Sequence, residues 1–203
     1  MYWCWSIAIA LALSGHSGPS SWLLDKQARA LLAITMFGSV IQKSASTDYL
    51  SGDFFEFTLL TDHRFAFLSS MLGVTDFELR TVWQGVEELQ QGVFDPKEIS
   101  LPANANVRTA ALVITYWNLV IQTLIGALAL FAIRRMLLKS LSALLLLFVA
   151  TTYFFAPVFG FGWLLCVWGL SIHNPGGKHR PLFLALIGLL LLYQIPFREL
   201  FPG

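Results

Sequence analysis

Two runs of apolar residues, 110–133 and 137–157, constrain this chain more than anything else in it. Each is about as long as the roughly 20 residues a helix needs to cross the hydrocarbon core of a bilayer, and neither carries a carboxylate. Four shorter apolar stretches, near 2–14, 28–42, 160–173 and 182–197, accompany them. In lipid, every backbone N–H and C=O must find a partner inside its own segment, so such stretches are expected to be helices. The composition agrees: 56% of the 203 residues are hydrophobic and 12% charged, where a soluble domain carries about 25% charge. The expected fold is an all-α polytopic membrane protein of about six segments, with five as the alternative. The shorter segments must borrow flanking residues or lie obliquely among their neighbours.

The stretch 2–14 has no basic region before it, unlike a signal peptide, and reads as a retained first helix with Tyr2, Trp3 and Trp5 at the interface. Pro157, Gly160 and Gly162 are expected to break the chain between the fourth and fifth segments. The basic residues set the orientation. Lys26, Arg29, Arg134, Arg135, Lys139, Lys178 and Arg180 all fall on one side of an alternating six-helix path, and that side is expected to be cytoplasmic. Residues 43–108 then lie on the opposite, periplasmic side, with ten Asp/Glu against five Lys/Arg. The home that fits is a bacterial inner membrane.

The 43–108 region is too apolar to be a disordered loop. Phe54, Phe55, Phe57, Leu59 and Leu60 form one cluster, and Phe65, Phe67, Leu68, Met71 and Leu72 another. Thr75 with Glu78 has the spacing of a capping box, and Leu79, Val82, Val86 and Leu89 then make one apolar stripe of an amphipathic helix. Short helices against the outer membrane surface are expected, closed by turns at Asp95-Pro96 and Leu101-Pro102. The whole chain reads as one membrane domain, 1–203, with 43–108 as a helical insertion.

The chemistry-bearing residues are few. Lys43 stands where the second segment ends, followed by Asp48, Asp53, Glu56, Asp62, His63 and Arg64. Ionisable groups at that depth are costly and need partners, which makes Lys43 the first candidate, although a lysine at a helix end also serves as an interfacial anchor. Asp62 and Arg64, two residues apart, are expected to meet in a local turn rather than to act as an acid–base pair. Asn118 and Gln122 share one face of the third segment, where amides commonly bond across helices. Cys4 and Cys166 match no metal spacing and are expected to be inert. No phosphate-binding loop, nucleophile constellation, metal cluster or nucleic-acid surface is present in the sequence.

The string Lys43-x4-Asp48-Tyr49-x2-Gly52 resembles the equivalent segment of the HTTM family, the membrane domain shared with vitamin K-dependent gamma-carboxylases and, more distantly, with DoxX-like proteins. Asp62-His-Arg64-Phe65, Tyr116-Trp117 and Ala156-Pro157-Val-Phe-Gly160-Phe-Gly162 extend the resemblance over about 25–173. It implies Lys43 as a base that accepts a proton from a quinol-like molecule. Carboxylase activity is not expected, because the large non-membrane domain of those enzymes has no counterpart here, and Gln122 stands where related proteins often place a carboxylate. Two functions follow. The first is a non-enzymatic accessory subunit docking a larger membrane complex. The alternative is a quinone- or ligand-binding redox protein with Lys43 at its site and Asp48, Asp62, Asn118 and Gln122 around it. The two differ in whether these residues converge or scatter.

Overall fold

The computed structural model describes residues 19–90, 101–132, 135–155, 159–172 and 179–194. Among them there is no strand. Nine α-helices follow in order: α1 Pro19–Ser44, α2 Thr47–Leu50, α3 Asp53–Thr61, α4 Ala66–Met71, α5 Asp76–Gln90, α6 Ala105–Phe131, α7 Arg135–Phe155, α8 Phe159–Ile172 and α9 Arg180–Gln194, with a single 3-10 turn, His63–Phe65, before α4. The expected first segment (2–14), the Asp95-Pro96 turn and the Pro157 break lie outside the described residues, as do Arg134 and Lys178.

The chain divides into two compact units, one of residues 40–120 and one of residues 1–39 with 121–203. In the second, Leu32 and Met36 of α1, Ile121 and Ile125 of α6, Leu141, Leu145 and Phe148 of α7, Leu165 of α8 and Phe183 of α9 form one apolar core. These positions recur every three or four residues along each helix, the spacing that gathers apolar side chains on one face. Gly169 makes the approach of α8 to α9 possible. A Cβ there would lie 2.3 Å from Cε1 of Phe183, a ring with no exposed surface. Arg29 closes the end of α6, its Nη1 donating to the Ala132 carbonyl at 2.7 Å. A cation at a helix C-terminus meets both orphan carbonyls and the negative end of the dipole. Arg29 Nε also stands 3.2 Å from Asp25, an ionic contact without the alignment of a hydrogen bond.

Among the described residues one helix, α6, is both long and apolar enough to cross a membrane. Its 27 residues make a rod of about 40 Å. The sequence expectation gave the fourth segment the same status. Over the described side chains α7 contributes an apolar helix of Met136–Thr152, and α8 and α9 contribute Gly160–Ile172 and Arg180–Leu192.

The unit of residues 40–120 is built from short helices, each ended by a local device. Ser46 caps α2 by accepting from the Tyr49 N–H at 3.3 Å. Gly52, at φ 86°, turns the chain into α3, and a Cβ there would meet Leu112 Cδ2 at 3.0 Å. Glu78 accepts from both the backbone N–H and the hydroxyl of Thr75, at 2.8 and 2.7 Å, while its own N–H reaches back to Thr75 Oγ1. That reciprocal pair is the capping box the sequence predicts. Asn104 and Asn106 both donate to the Leu72 carbonyl, tying the end of α4 to the start of α6. Leu79 and Val82 of the α5 stripe are buried with Leu59, Leu60, Phe65, Val74 and Val107, but Leu89 is 58% exposed. The stripe therefore packs at its N-terminal half only.

Candidate functional site

Three elements of the 40–120 unit bring polar side chains together: the last turn of α1, α2, and α6. Lys43 sits one residue before the end of α1, just past the apolar run 28–42. Its Nζ lies 5.4 Å from the centroid of the Tyr49 ring, within cation–π range. Tyr49 is buried, with 5% of its surface exposed, and its ring also touches Phe54 and Phe55. The Tyr49 hydroxyl accepts a hydrogen bond from Asn118 Nδ2 at 3.0 Å, across 69 residues of sequence. The loop that positions Tyr49 is set by the Ser46 cap on one side and Gly52 on the other.

That hydrogen bond leaves the cluster unbalanced. Asn118 Oδ1 is buried with no partner among the described residues, and so is the hydroxyl of Thr115, one turn earlier on the same face of α6. Thr115 has no exposed surface at all. Buried polar atoms are nearly always paired, so two on one helix face call for an explanation, such as a ligand or water that completes them. The Tyr49 hydroxyl, which accepts from Asn118, still has its own proton to donate. Burial pushes the Tyr49 phenol up to about 12, so it keeps that proton at neutral pH. Burial also lowers the Lys43 amine to about 8. A phenol O–H donor, an amide acceptor, an unmatched hydroxyl and an amine that can hold or release a proton near neutrality thus belong to one unit.

The other predicted candidates are placed differently. Asp62 joins Arg64 as the sequence predicts: Arg64 Nε bonds both carboxylate oxygens at 2.9 Å and its backbone N–H bonds Oδ1 at 3.0 Å. The guanidinium holds the Asp62 carboxyl below its ordinary range. Asp48, exposed on α2, accepts from the hydroxyl of its neighbour Thr47 at 3.3 Å. Gln122 is buried one turn beyond Asn118 on α6, within the other unit.

Tyr49 and Thr115 were not singled out by the sequence. Tyr49 carries one hint, as the aromatic residue within the Lys43–Gly52 segment. Thr115 carries none, since an isolated threonine in an apolar helix usually bonds the backbone one turn before it. Arg108 was missed too. Its Nη1 pairs with Asp53 and with Glu56 Oε2, the latter at 2.7 Å, clamping α3 to the first turn of α6. Ser51 and Arg108 together hold the Asp53 carboxyl below its ordinary range. The i, i+3 carboxylates and the lone cation ahead of the apolar run were the available signal.

Among the described residues, the fold and cluster define an all-helical arrangement with one helix long and apolar enough to cross a bilayer and a partly unmatched polar cluster built around Tyr49. No known protein family, curated protein or solved structure matches the chain.

Proposed function

We propose that this chain is a multi-pass membrane protein of about six segments that binds a small molecule with a hydroxyl- or carbonyl-bearing head at Lys43, Tyr49 and Asn118. The observation that carries the reading is the Tyr49–Asn118 hydrogen bond, with Asn118 Oδ1 and Thr115 Oγ1 left buried and unmatched beside it. Those atoms fit a ligand that presents hydroxyl donors and a carbonyl or phenolic acceptor, the chemistry of a quinone and its reduced form. Lys43 would take or return a proton at Nζ, and Tyr49 and Asn118 would orient the head. The resemblance to the HTTM family supports the same location. A quinone-like molecule bound there would supply redox chemistry that none of these side chains possesses.

The membrane reading is supported by α6. Val113, Tyr116, Trp117, Val120 and Leu124 run along one face of it and are 43–63% exposed, a continuous apolar stripe with lipid as its natural neighbour. A bacterial inner membrane with residues 43–108 on the periplasmic side is the proposed setting. Two observations favour the accessory-subunit reading instead: Asp48 and Asp62 are engaged in local contacts apart from Tyr49, and Phe67, Met71 and Phe77, outside the apolar runs, are 76%, 69% and 81% exposed. Partner membrane proteins would cover such side chains.

Gentle-detergent purification of the full chain, with mass spectrometry of the proteins and small molecules that accompany it, separates the two. A stoichiometric quinone or phenolic compound that is lost from Lys43→Ala and Tyr49→Phe supports ligand binding. Stoichiometric membrane proteins, retained in both variants and with no small molecule, overturn it in favour of the subunit.

A further inference from the structure

An open groove of about 340 Å3 is lined by His63, Arg80, Trp83, Gln84 and Glu87, none of which belongs to the Lys43 cluster. Its volume lies at the lower end of the range for small-molecule sites. The His63 and Trp83 rings meet with centroids 4.0 Å apart, tilted 40° to one another. Arg80, Gln84 and Glu87 project from one face of α5, at i, i+4 and i+7, and all three are exposed. Phe77, 81% exposed, extends that face by one turn toward the N-terminus.

Several charges of this unit are matched locally. Asp62 is matched by Arg64, Asp53 and Glu56 by Arg108, and Glu78 by Thr75. Among the described residues the Arg80 and Glu87 side chains of the groove have no hydrogen bond or ion pair, as is also true of Asp76 and Glu88 on the same helix, and about 10.5 Å of helix separates the backbones of Arg80 and Glu87. A ligand with one charge would satisfy one of them and face repulsion from the other. A ligand with an anion and a cation a few bonds apart satisfies both. From Phe77 onward the face runs apolar, cationic, amide, anionic, with the exposed Asp76 one turn before Arg80.

We propose that this groove binds the head group of a phosphatidylethanolamine. The phosphate lies on Arg80, whose planar guanidinium suits bidentate contact with phosphate oxygens. The ammonium reaches Glu87, with the Gln84 amide between them and the Trp83 ring beside the cation. The glycerol and acyl chains leave past Phe77. A free zwitterion would meet the charges but leave Phe77 uncovered, so the order of residues along α5 selects the lipid.

The test is native mass spectrometry of the full chain in detergent micelles with equimolar phosphatidylethanolamine, phosphatidylglycerol and phosphatidylcholine of identical acyl chains. Wild type is expected to retain phosphatidylethanolamine about tenfold over phosphatidylglycerol, and Arg80→Gln to lower that retention about tenfold. Glu87→Gln is expected to erase the preference. Phe77→Ser should weaken lipid retention while leaving every charge in place. Equal retention of the three lipids, or undiminished retention in Arg80→Gln, overturns the assignment. So does displacement of the lipid by equimolar soluble phosphoethanolamine, which would mark a free zwitterion site. All three positions are exposed, so far-ultraviolet circular dichroism should be unchanged. Because the groove and the Lys43 cluster share no residue, loss of quinone binding would leave this result standing.

Discussion

The Tyr49–Asn118 pair yields a quantitative expectation. Tyr49→Phe removes the acceptor for Asn118 Nδ2 and, since Oδ1 already lacks a partner, leaves the side-chain amide with no hydrogen bond among the described residues. Leaving a buried donor unmatched costs about 1–3 kcal/mol in soluble proteins. Polar pairs between membrane helices average about 0.6 kcal/mol and reach about 1.7. Asn118 is only partly buried, so a loss of about 1 kcal/mol is expected from Tyr49→Phe, and a similar loss from Asn118→Leu, which leaves the phenol unmatched. The double variant has neither group, and its loss should fall short of the sum by about 1 kcal/mol. Unfolding followed by circular dichroism in mixed micelles of increasing SDS content measures each corner of the cycle. Additivity within about 0.3 kcal/mol would mean the two groups do not interact, and the site would lose its anchor. Thr115→Val completes the design. It replaces an unmatched buried hydroxyl with a methyl of the same shape, so the ligand-free protein should gain about 1 kcal/mol while retention of the small molecule falls. A Thr115→Val protein that is destabilised without ligand would refute the claim that this hydroxyl stands unmatched.

Three further expectations concern single positions. Gly169→Ala drives a Cβ to 2.3 Å from the Phe183 ring and should cost about 1–3 kcal/mol, with part of that recovered by adding Phe183→Leu; unchanged thermal stability in detergent would contradict the close approach of α8 and α9. Lys43, whose pKa is lowered from 10.5 to about 8, binds fewer protons when folded than when unfolded between those values, so stability should rise from about pH 8 to 10.5. A Lys43→Met variant should lack that rise, and unfolding profiles across the window decide it. Thr75→Ala breaks the capping box with Glu78 and should cost about 0.5–2 kcal/mol, read as earlier melting of α5 by hydrogen exchange.

Local devices were legible because they are local. The Thr75–Glu78 box and the Asp62–Arg64 turn each span two or three residues, so backbone geometry alone brings the partners together. The limits of legibility are equally physical. The stripe Leu79–Val82–Val86–Leu89 has the period of a buried face along its whole length, yet Leu89 is exposed. Periodicity reports which side chains share a face, and it cannot report how far a neighbour extends along it.

The amino-acid sequence by itself determined the helical class, the apolar runs, and the placement of Lys43 beyond one of them, since backbone satisfaction and hydrophobic period depend on near neighbours in the chain. Only the tertiary structure decided that Tyr49 meets Asn118, that Arg108 meets Asp53 and Glu56, and that Asn118 and Gln122 belong to different units though one turn apart. Contacts across 50 to 70 residues arise from how helices pack. The short period of a helix marks several faces as suitable for packing and leaves the choice of partner to the assembled core.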